Sequence, residues 1–159
     1  ILNNRGYTTF LVSNGTMPDV LRRCRPFQTY ISLDAPDIDT YTKICRPYGE
    51  PEEFWDRISK SLNLLSERRS AIRITIVKGI NDHSPEKYAD MIKRSGTNFV
   101  EVKGYMYLGY SRKRLERYHM PEHEYIRDFA DKIAEFSGYK LLGESPLSRV
   151  VCLELNDEI

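Results

Sequence analysis

Most of the short signatures that reveal chemistry are missing from this 159-residue sequence. No G-x-G-x-x-G follows a strand-like segment and no G-x-x-x-x-G-K-[ST] occurs, so the common nucleotide cradles are excluded. H-E-x-x-H and G-x-S-x-G are absent too. No apolar run approaches the roughly 18 residues needed to cross a bilayer, and no signal peptide opens the chain. These absences predict a cytoplasmic protein without a membrane partner. Cysteine is scarce: Cys24, Cys45 and Cys152 lie far apart and form no C-x-x-C, which leaves neither a metal motif nor a disulfide framework. Histidine is equally scarce. His83 falls in a loop, and His119 and His123 stand four residues apart at a polar helix start, a spacing that ordinarily marks surface, so no metal site is assigned. Charge of one sign is also lacking. The 24 Lys and Arg against 23 Asp and Glu give a net charge of +1, which argues neither for nor against nucleic acid.

What is present is an alternation of strands and helices. Strand-like segments occupy 7–15, 28–36, 70–81 and 98–109. Helix-like segments follow at 18–23, 37–45 (capped by Asp37 or Asp39), 52–68, 85–94 and 119–136. The last is marked by a stripe of Ile126, Phe129, Ile133 and Phe136. Residues 139–155 read as a terminal strand pair or one interrupted strand. The opening ILNNRGY reads as the last turn of a helix stopped at Gly6, which predicts that the chain is a piece of a longer protein. Alternation of this kind implies an α/β fold with parallel strands joined by right-handed crossovers, either an open sheet or a barrel. In both, ligands bind beyond the carboxyl ends of the strands. Those ends carry Ser13 and Asn14, Ser32 and Asp34, Lys78 and Asn81, and Lys103 with Tyr105.

The segment 98-NFVEVKGYMYLG-109 is the most informative. Phe99, Val100 and Val102 supply its apolar residues, while Glu101, Lys103 and Tyr105 alternate on one face. Parallel strands are normally apolar on both faces. A face bearing an acid and a base therefore looks into a site that solvates charge, unless the strand is a wet edge. Lys103 has three readings: an amine that forms an imine with a carbonyl, a cation that holds a substrate carboxylate, or half of a structural ion pair with Glu101. Lys78 is the second lysine candidate. Just after this strand, Arg112, Lys113, Arg114 and Arg117 are interleaved with tyrosines, a pattern suited to phosphates and unpaired bases and equally to a solvated helix.

The strings TTFLVSNGT, YISLDAPD, YTKICRP, FWDRISKSL, RITIVKGIN and FVEVKGYMYLG, with PEHE at 121–124, together resemble the radical S-adenosylmethionine enzymes that make 4-demethylwyosine in tRNA. The resemblance implies a partial (β/α)6 TIM-like barrel, of which this chain would carry strands 3–6 across residues 1–159. It implies S-adenosylmethionine and [4Fe–4S] clusters as cofactors, with cluster ligands outside this chain, so the piece alone is expected to be inactive. The implied reaction, of the lyase class, joins two carbons of pyruvate to N1-methylguanosine beside the anticodon of phenylalanine tRNA. An electron donor such as a flavodoxin-type protein is implied as a partner. On this reading Ser13, Asn14, Ser32, Asp34 and Asn81 bind the cofactor, and Lys103, Lys78 and Glu101 serve catalysis. Arg112, Lys113, Arg114 and Arg117 meet the tRNA. The alternatives are a radical S-adenosylmethionine enzyme acting on a small molecule, a lysine-dependent aldolase-like barrel, and a non-catalytic interaction domain.

Overall fold

The computed structural model describes residues 2–156; Ile1, the first residue of the ILNNRGY segment read as a helix end, and 157–159 lie outside them. Six strands form one sheet: β1 (Phe10–Ser13), β2 (Gln28–Ser32), β3 (Ser70–Ile76), β4 (Phe99–Gly104), β5 (Lys140–Ser145) and β6 (Val150–Glu154). Their spatial order is β1-β2-β3-β4-β6-β5. The first four run parallel, as the alternation implies. The terminal pair folds back antiparallel, and β6 rather than β5 lies beside β4.

Five helices connect the strands: α1 (Pro18–Arg23), α2 (Ile38–Cys45), α3 (Pro51–Leu62), α4 (Pro85–Ser95) and α5 (His123–Ser137). The core lies between them and one face of the sheet. Ile31, Ile72, Ile74, Val100, Val102, Val151 and Leu153 point from the strands into it and meet Leu21, Ile58, Leu62, Tyr88, Ile92, Ile126 and Ile133 from the helices. The alternate residues point the other way. On that face Phe10 and Val12 are more than half exposed.

Three element boundaries differ from the sequence reading, each for a local reason. The helix over 52–68 stops at Leu62, and a 3-10 turn follows at Leu65–Glu67. Leu62, Leu64 and Leu65 are all buried, and one α-helical stripe cannot bury them together. The last helix begins at His123, not at 119. Pro121 holds Met120 extended, at φ −84° and ψ 106°, so 119–121 cannot join the helix. Its expected stripe is also shorter, because Phe136 is exposed. Strand β4 ends at Gly104, and Tyr105 turns inward to bond the Ser111 hydroxyl at 2.8 Å.

Two local devices bring the strand ends into register. Gly15, at φ +76°, follows β1 where a Cβ would stand 3.2 Å from Ile31 Cγ2, and its carbonyl accepts from the buried Ser61 hydroxyl. Asp37 caps α2 by accepting from Thr40 N–H at 3.0 Å and pairs with Lys87 of α4 at 2.8 Å. The bond from Lys87, with the Thr40 bonds, holds the Asp37 carboxyl down at about 2, below its ordinary 3.8. A depressed acid contributes stability above its ordinary value and loses it as pH falls through the folded value. Acid titration of the fold should therefore show a component lost between pH 3.8 and about 2 that Asp37→Asn lacks. Asp37→Ala should lower stability by about 1 kcal/mol at neutral pH; an acid limb identical in wild type and Asp37→Asn would show that the pair contributes nothing.

Candidate functional site

The register of the parallel strands assembles the site. Across the helix-free face one row reads Ser32, Arg73, Glu101 and Cys152, from four adjacent strands. The row above it pairs Thr75 with Lys103 and Lys103 with Val150. Asp34 lies two residues past Ser32, and its Oδ1 accepts the Thr75 backbone N–H at 2.8 Å. A carboxylate thus occupies a ladder position normally taken by a carbonyl. With strands about 4.8 Å apart, Lys103 lies roughly 10 Å across the mouth from Asp34.

Glu101 does not pair with Lys103. Its carboxylate bonds Arg73 Nε, and the Arg73 guanidinium lies 4.9 Å from the centroid of the Tyr30 ring. Both partners are about three-quarters buried. The structural ion pair thus exists, but its cation comes from β3, directly across from Glu101, because residues two apart on one strand are farther from each other than register partners. Lys103 is left half-buried, with no ion-pair partner among the described residues. Lys78 is exposed and turned away from this row, with its amine 5.1 Å from the centroid of Tyr125 on α5.

Beside the polar rows, a cavity of about 310 Å³ opens at the carboxyl ends of β1 and β2. Asn14, Ser32 and Asp34 line its polar side, and Tyr41, Phe54, Trp55 and Ile58 its apolar side. Three of the five residues expected to bind a cofactor therefore share one cavity. Ser13 lies outside it, and its hydroxyl accepts the Gly15 N–H at 3.1 Å. Asn81 is fully buried beneath the site. Its amide donates to the carbonyls of Asp34 and Thr75 at 2.8 and 2.9 Å, and its oxygen accepts Val77 N–H at 2.7 Å. It braces the mouth from below.

Burial raises the Asp34 carboxyl above its ordinary range, against the opposing Thr75 bonds and the Arg73 charge. A carboxylate so placed gains from a cationic ligand, which suits the ammonium of an amino acid. Burial, and then the Asp34 charge, push the Cys45 thiol at the cavity wall up to about 12. Among the described residues no group of His, Cys, Asp and Glu is gathered to hold a metal, and His119 and His123 do not share a helix. The residues present fit S-adenosylmethionine and do not fit an iron–sulfur cluster.

Beyond the end of β4, Arg112 and Lys113 lie in one 3-10 turn, Gly109–Lys113, and Arg117 in another, Arg117–His119, with Arg114 just after the first. Lys113 sits 4.6 Å from the centroid of Tyr110, and Arg112 6.0 Å from that of Tyr107. The sequence reading passed over Arg73 and the aromatic wall of Tyr41, Phe54 and Trp55. Arg73 carried the same signal as β4, a charged residue alternating with isoleucines in 70-SAIRITI-76, whereas the wall shows only as ordinary helical apolar spacing.

Fold and site together define an α/β sheet domain with a cavity and a polar row at the carboxyl ends of its parallel strands. A family model described as wyosine base formation matches residues 94–155. The S-adenosyl-L-methionine-dependent tRNA 4-demethylwyosine synthase of Methanocaldococcus jannaschii is 42% identical over 155 residues, covering 97% of this chain and 49% of that protein. The synthase of the same name from Pyrococcus abyssi is 42% identical over 163 residues, covering 98% of this chain and 47% of that protein. A solved structure of TYW1 with a lysine–pyruvate adduct bound superposes with a TM-score of 0.86 at 38% identity, over 96% of this chain and 48% of that one. Over nearly its whole length the chain is thus similar to tRNA 4-demethylwyosine synthases. It spans about half the length of the curated relatives it matches.

Proposed function

We propose that this chain is the carboxy-terminal portion of a radical S-adenosylmethionine enzyme of the lyase class that builds 4-demethylwyosine on phenylalanine tRNA. On this reading β1–β4 are strands 3–6 of a partial (β/α)6 barrel, and the helix-free face is its lumen. The observation that carries the proposal is the polar face itself: Ser32, Arg73 and Glu101 in one row, with Lys103 free beside Thr75, at the strand ends where α/β folds hold ligands. A wet sheet edge would explain charges on one strand. It does not explain a matched row across four.

When bound, S-adenosylmethionine supplies a 5′-deoxyadenosyl radical, with the electron arriving from a donor such as a flavodoxin-type protein through clusters held outside this chain. The chain's own residues bind and orient. Asp34 takes the ammonium of the methionine moiety, and Ser32 and Asn14 bond its polar atoms along the same cavity. Asn81 and Ser13 act one step back, fixing the loops that carry Asp34 and Asn14. The Arg73–Glu101 pair keeps Glu101 from neutralising Lys103. Lys103 then meets pyruvate, either as a cation that holds its carboxylate or as the amine that condenses with its ketone; its register partners are Thr75 on one side and Val150 on the other. A lysine–pyruvate adduct is known for the TYW1 relative; Lys103 and, less directly, Lys78 are the lysines by which this chain would approach that chemistry. Arg112, Lys113, Arg114 and Arg117 meet the anticodon stem–loop through its phosphates. The reaction belongs in the cytoplasm, where its tRNA substrate is found.

The direct test is the full-length protein, held anaerobic with reductant, S-adenosylmethionine, pyruvate and tRNA carrying N1-methylguanosine. Mass spectrometry should find 4-demethylwyosine in the tRNA. Turnover of a small molecule with the tRNA left unchanged would instead favour the alternative radical enzyme. For the cofactor site, Ser32→Ala combined with Asp34→Asn should weaken S-adenosylmethionine binding about 10- to 100-fold, the effect of losing hydrogen bonds to a charged group. Wild-type affinity should be full above the raised Asp34 value and fall as pH drops through it, because protonated Asp34 no longer attracts the ammonium. Calorimetry showing the same affinity and pH profile in both proteins would remove Asp34 from the site.

A further inference from the structure

We infer that Tyr118 and His119 form a stacking platform for an unpaired RNA base next to the one that enters the mouth; this rests on the tRNA reading above. The two rings are stacked, with centroids 4.0 Å apart and planes at 29°. Tyr118 is 67% exposed, with its ring at the surface and stacked on that of His119. Exposed tyrosines ordinarily sample several rotamers. Here the lower ring is fixed, because His119 Nδ1 accepts the Glu116 N–H at 3.0 Å and the His119 carbonyl accepts the Lys78 N–H at 2.9 Å. The second bond ties the platform to the chain just beyond β3, at the sheet end that carries Asp34 and Lys103. Met120 Sδ also lies 3.4 Å from the Tyr107 N–H, pinning the segment to the exit of β4.

The surroundings indicate the occupant. Arg112, Lys113, Arg114 and Arg117 flank the platform, and among the described residues none of the four makes an ion pair, whereas Arg57, Lys60, Lys87 and Arg127 elsewhere each have an acidic partner. A planar, preordered aromatic surface bordered by unneutralised cations fits a nucleobase with its phosphates. An apolar ligand would have no use for the cations, and an acidic peptide would have none for the stacked rings. A single-stranded loop also has to splay its neighbouring bases to deliver one of them into a barrel mouth, and each splayed base loses its own stacking partner. The platform replaces that partner.

The test measures binding of a fluorescent anticodon stem–loop RNA to the full-length protein by anisotropy, at several salt concentrations. Tyr118→Ala should weaken binding about 5- to 100-fold, the range for loss of one base–aromatic stack. Its salt slope should equal that of wild type, since no phosphate contact is removed. Tyr118→Phe should bind within about twofold of wild type, because the ring is kept. Arg117→Ala should instead flatten the salt slope by about one unit. An RNA with an abasic site beside the target should bind Tyr118→Ala and wild type equally. The inference is overturned if Tyr118→Ala binds like wild type, or if its loss appears wholly in the salt slope. If the wild-type protein does not bind the stem–loop at all, the tRNA reading fails and the platform fails with it. Tight wild-type binding with an unaffected Tyr118→Ala removes the platform alone.

Discussion

Replacing Lys103 with alanine in the full-length protein is expected to reduce 4-demethylwyosine formation by about 100-fold or more while reductive cleavage of S-adenosylmethionine continues, the scale of loss when a reactant is misplaced by about 1 Å. The split follows from where the residue lies. Lys103 is in the row with Thr75 and Val150, across the mouth from the cavity lined by Asn14, Ser32 and Asp34, so its removal leaves the cofactor's contacts intact. Its amine has no competing anion, because Glu101 is engaged by Arg73. A substrate carboxylate would therefore gain the whole attraction of this charge in a partly shielded site. Lys103→Arg separates the two chemistries open to a lysine. Arginine keeps the positive charge but cannot condense with a ketone and expel water. Retention of product within about 10-fold in Lys103→Arg supports the carboxylate role, since one order of magnitude is the ~1.4 kcal/mol that imperfect geometry costs. Borohydride reduction in the presence of pyruvate gives an independent readout. Equal labelling of wild type and Lys103→Ala places any covalent adduct on another lysine. Labelling lost in both Lys103→Ala and Lys103→Arg, with Lys103→Arg inactive, would make Lys103 itself the imine-forming residue. Undiminished product in Lys103→Ala would remove it from the mechanism.

The parts of this site that could be read in the sequence are those whose signal lies within a single strand. Glu101 and Lys103 alternate with Val100 and Val102, and that pattern was enough to place a polar face. Ser32 and Asp34 stood out because they close an apolar strand. Asp37 announced the cap of α2, and the cap forms as expected. Properties that depend on register were not legible. Nothing local in 70-SAIRITI-76 says that Arg73 faces Glu101 rather than water, and the mistaken Glu101–Lys103 pair followed from proximity in sequence standing in for proximity in space. The placement of β6 beside β4 was hidden for the same reason, since a hairpin after α5 can dock by either strand. The start of α5 was a different case. Pro121 was visible, and its effect on Met120 is a general rule, but the apolar stripe that followed outweighed it. Asn81 reads from sequence as a polar residue at a strand end that could reach the cofactor, yet sequence does not say which way an amide points. It could reach up toward a ligand or down into the backbone, and both orientations place it after the same strand.

That ambiguity makes Asn81 the most informative stability variant. Asn81→Ala should destabilise the fold by about 3–5 kcal/mol, at the upper end for a single substitution. The side chain is wholly inaccessible and makes three bonds of 2.7–2.9 Å to the backbone of Val77, Asp34 and Thr75. Alanine leaves one N–H without its acceptor and two carbonyls without their donor, and each unsatisfied buried group costs about 1–3 kcal/mol. Water entering the space left by the amide would recover part of this, which keeps the sum below the full total. Tyr88→Phe is the graded comparison. It removes only the hydroxyl bond to the Asn81 carbonyl, 3.0 Å long, and should cost about 1 kcal/mol. Both values come from denaturant midpoints at constant slope. The functional consequence separates bracing from contact. If Asn81 braces, S-adenosylmethionine affinity in Asn81→Ala falls together with stability, because the carbonyl it holds belongs to Asp34. If Asn81 touches the cofactor, affinity falls while the midpoint moves by less than about 1 kcal/mol, a change too small for the loss of three buried bonds. The first pattern makes Asn81 part of the scaffold that aims Asp34; the second would require the amide to leave the backbone groups it now satisfies and swing into the cavity.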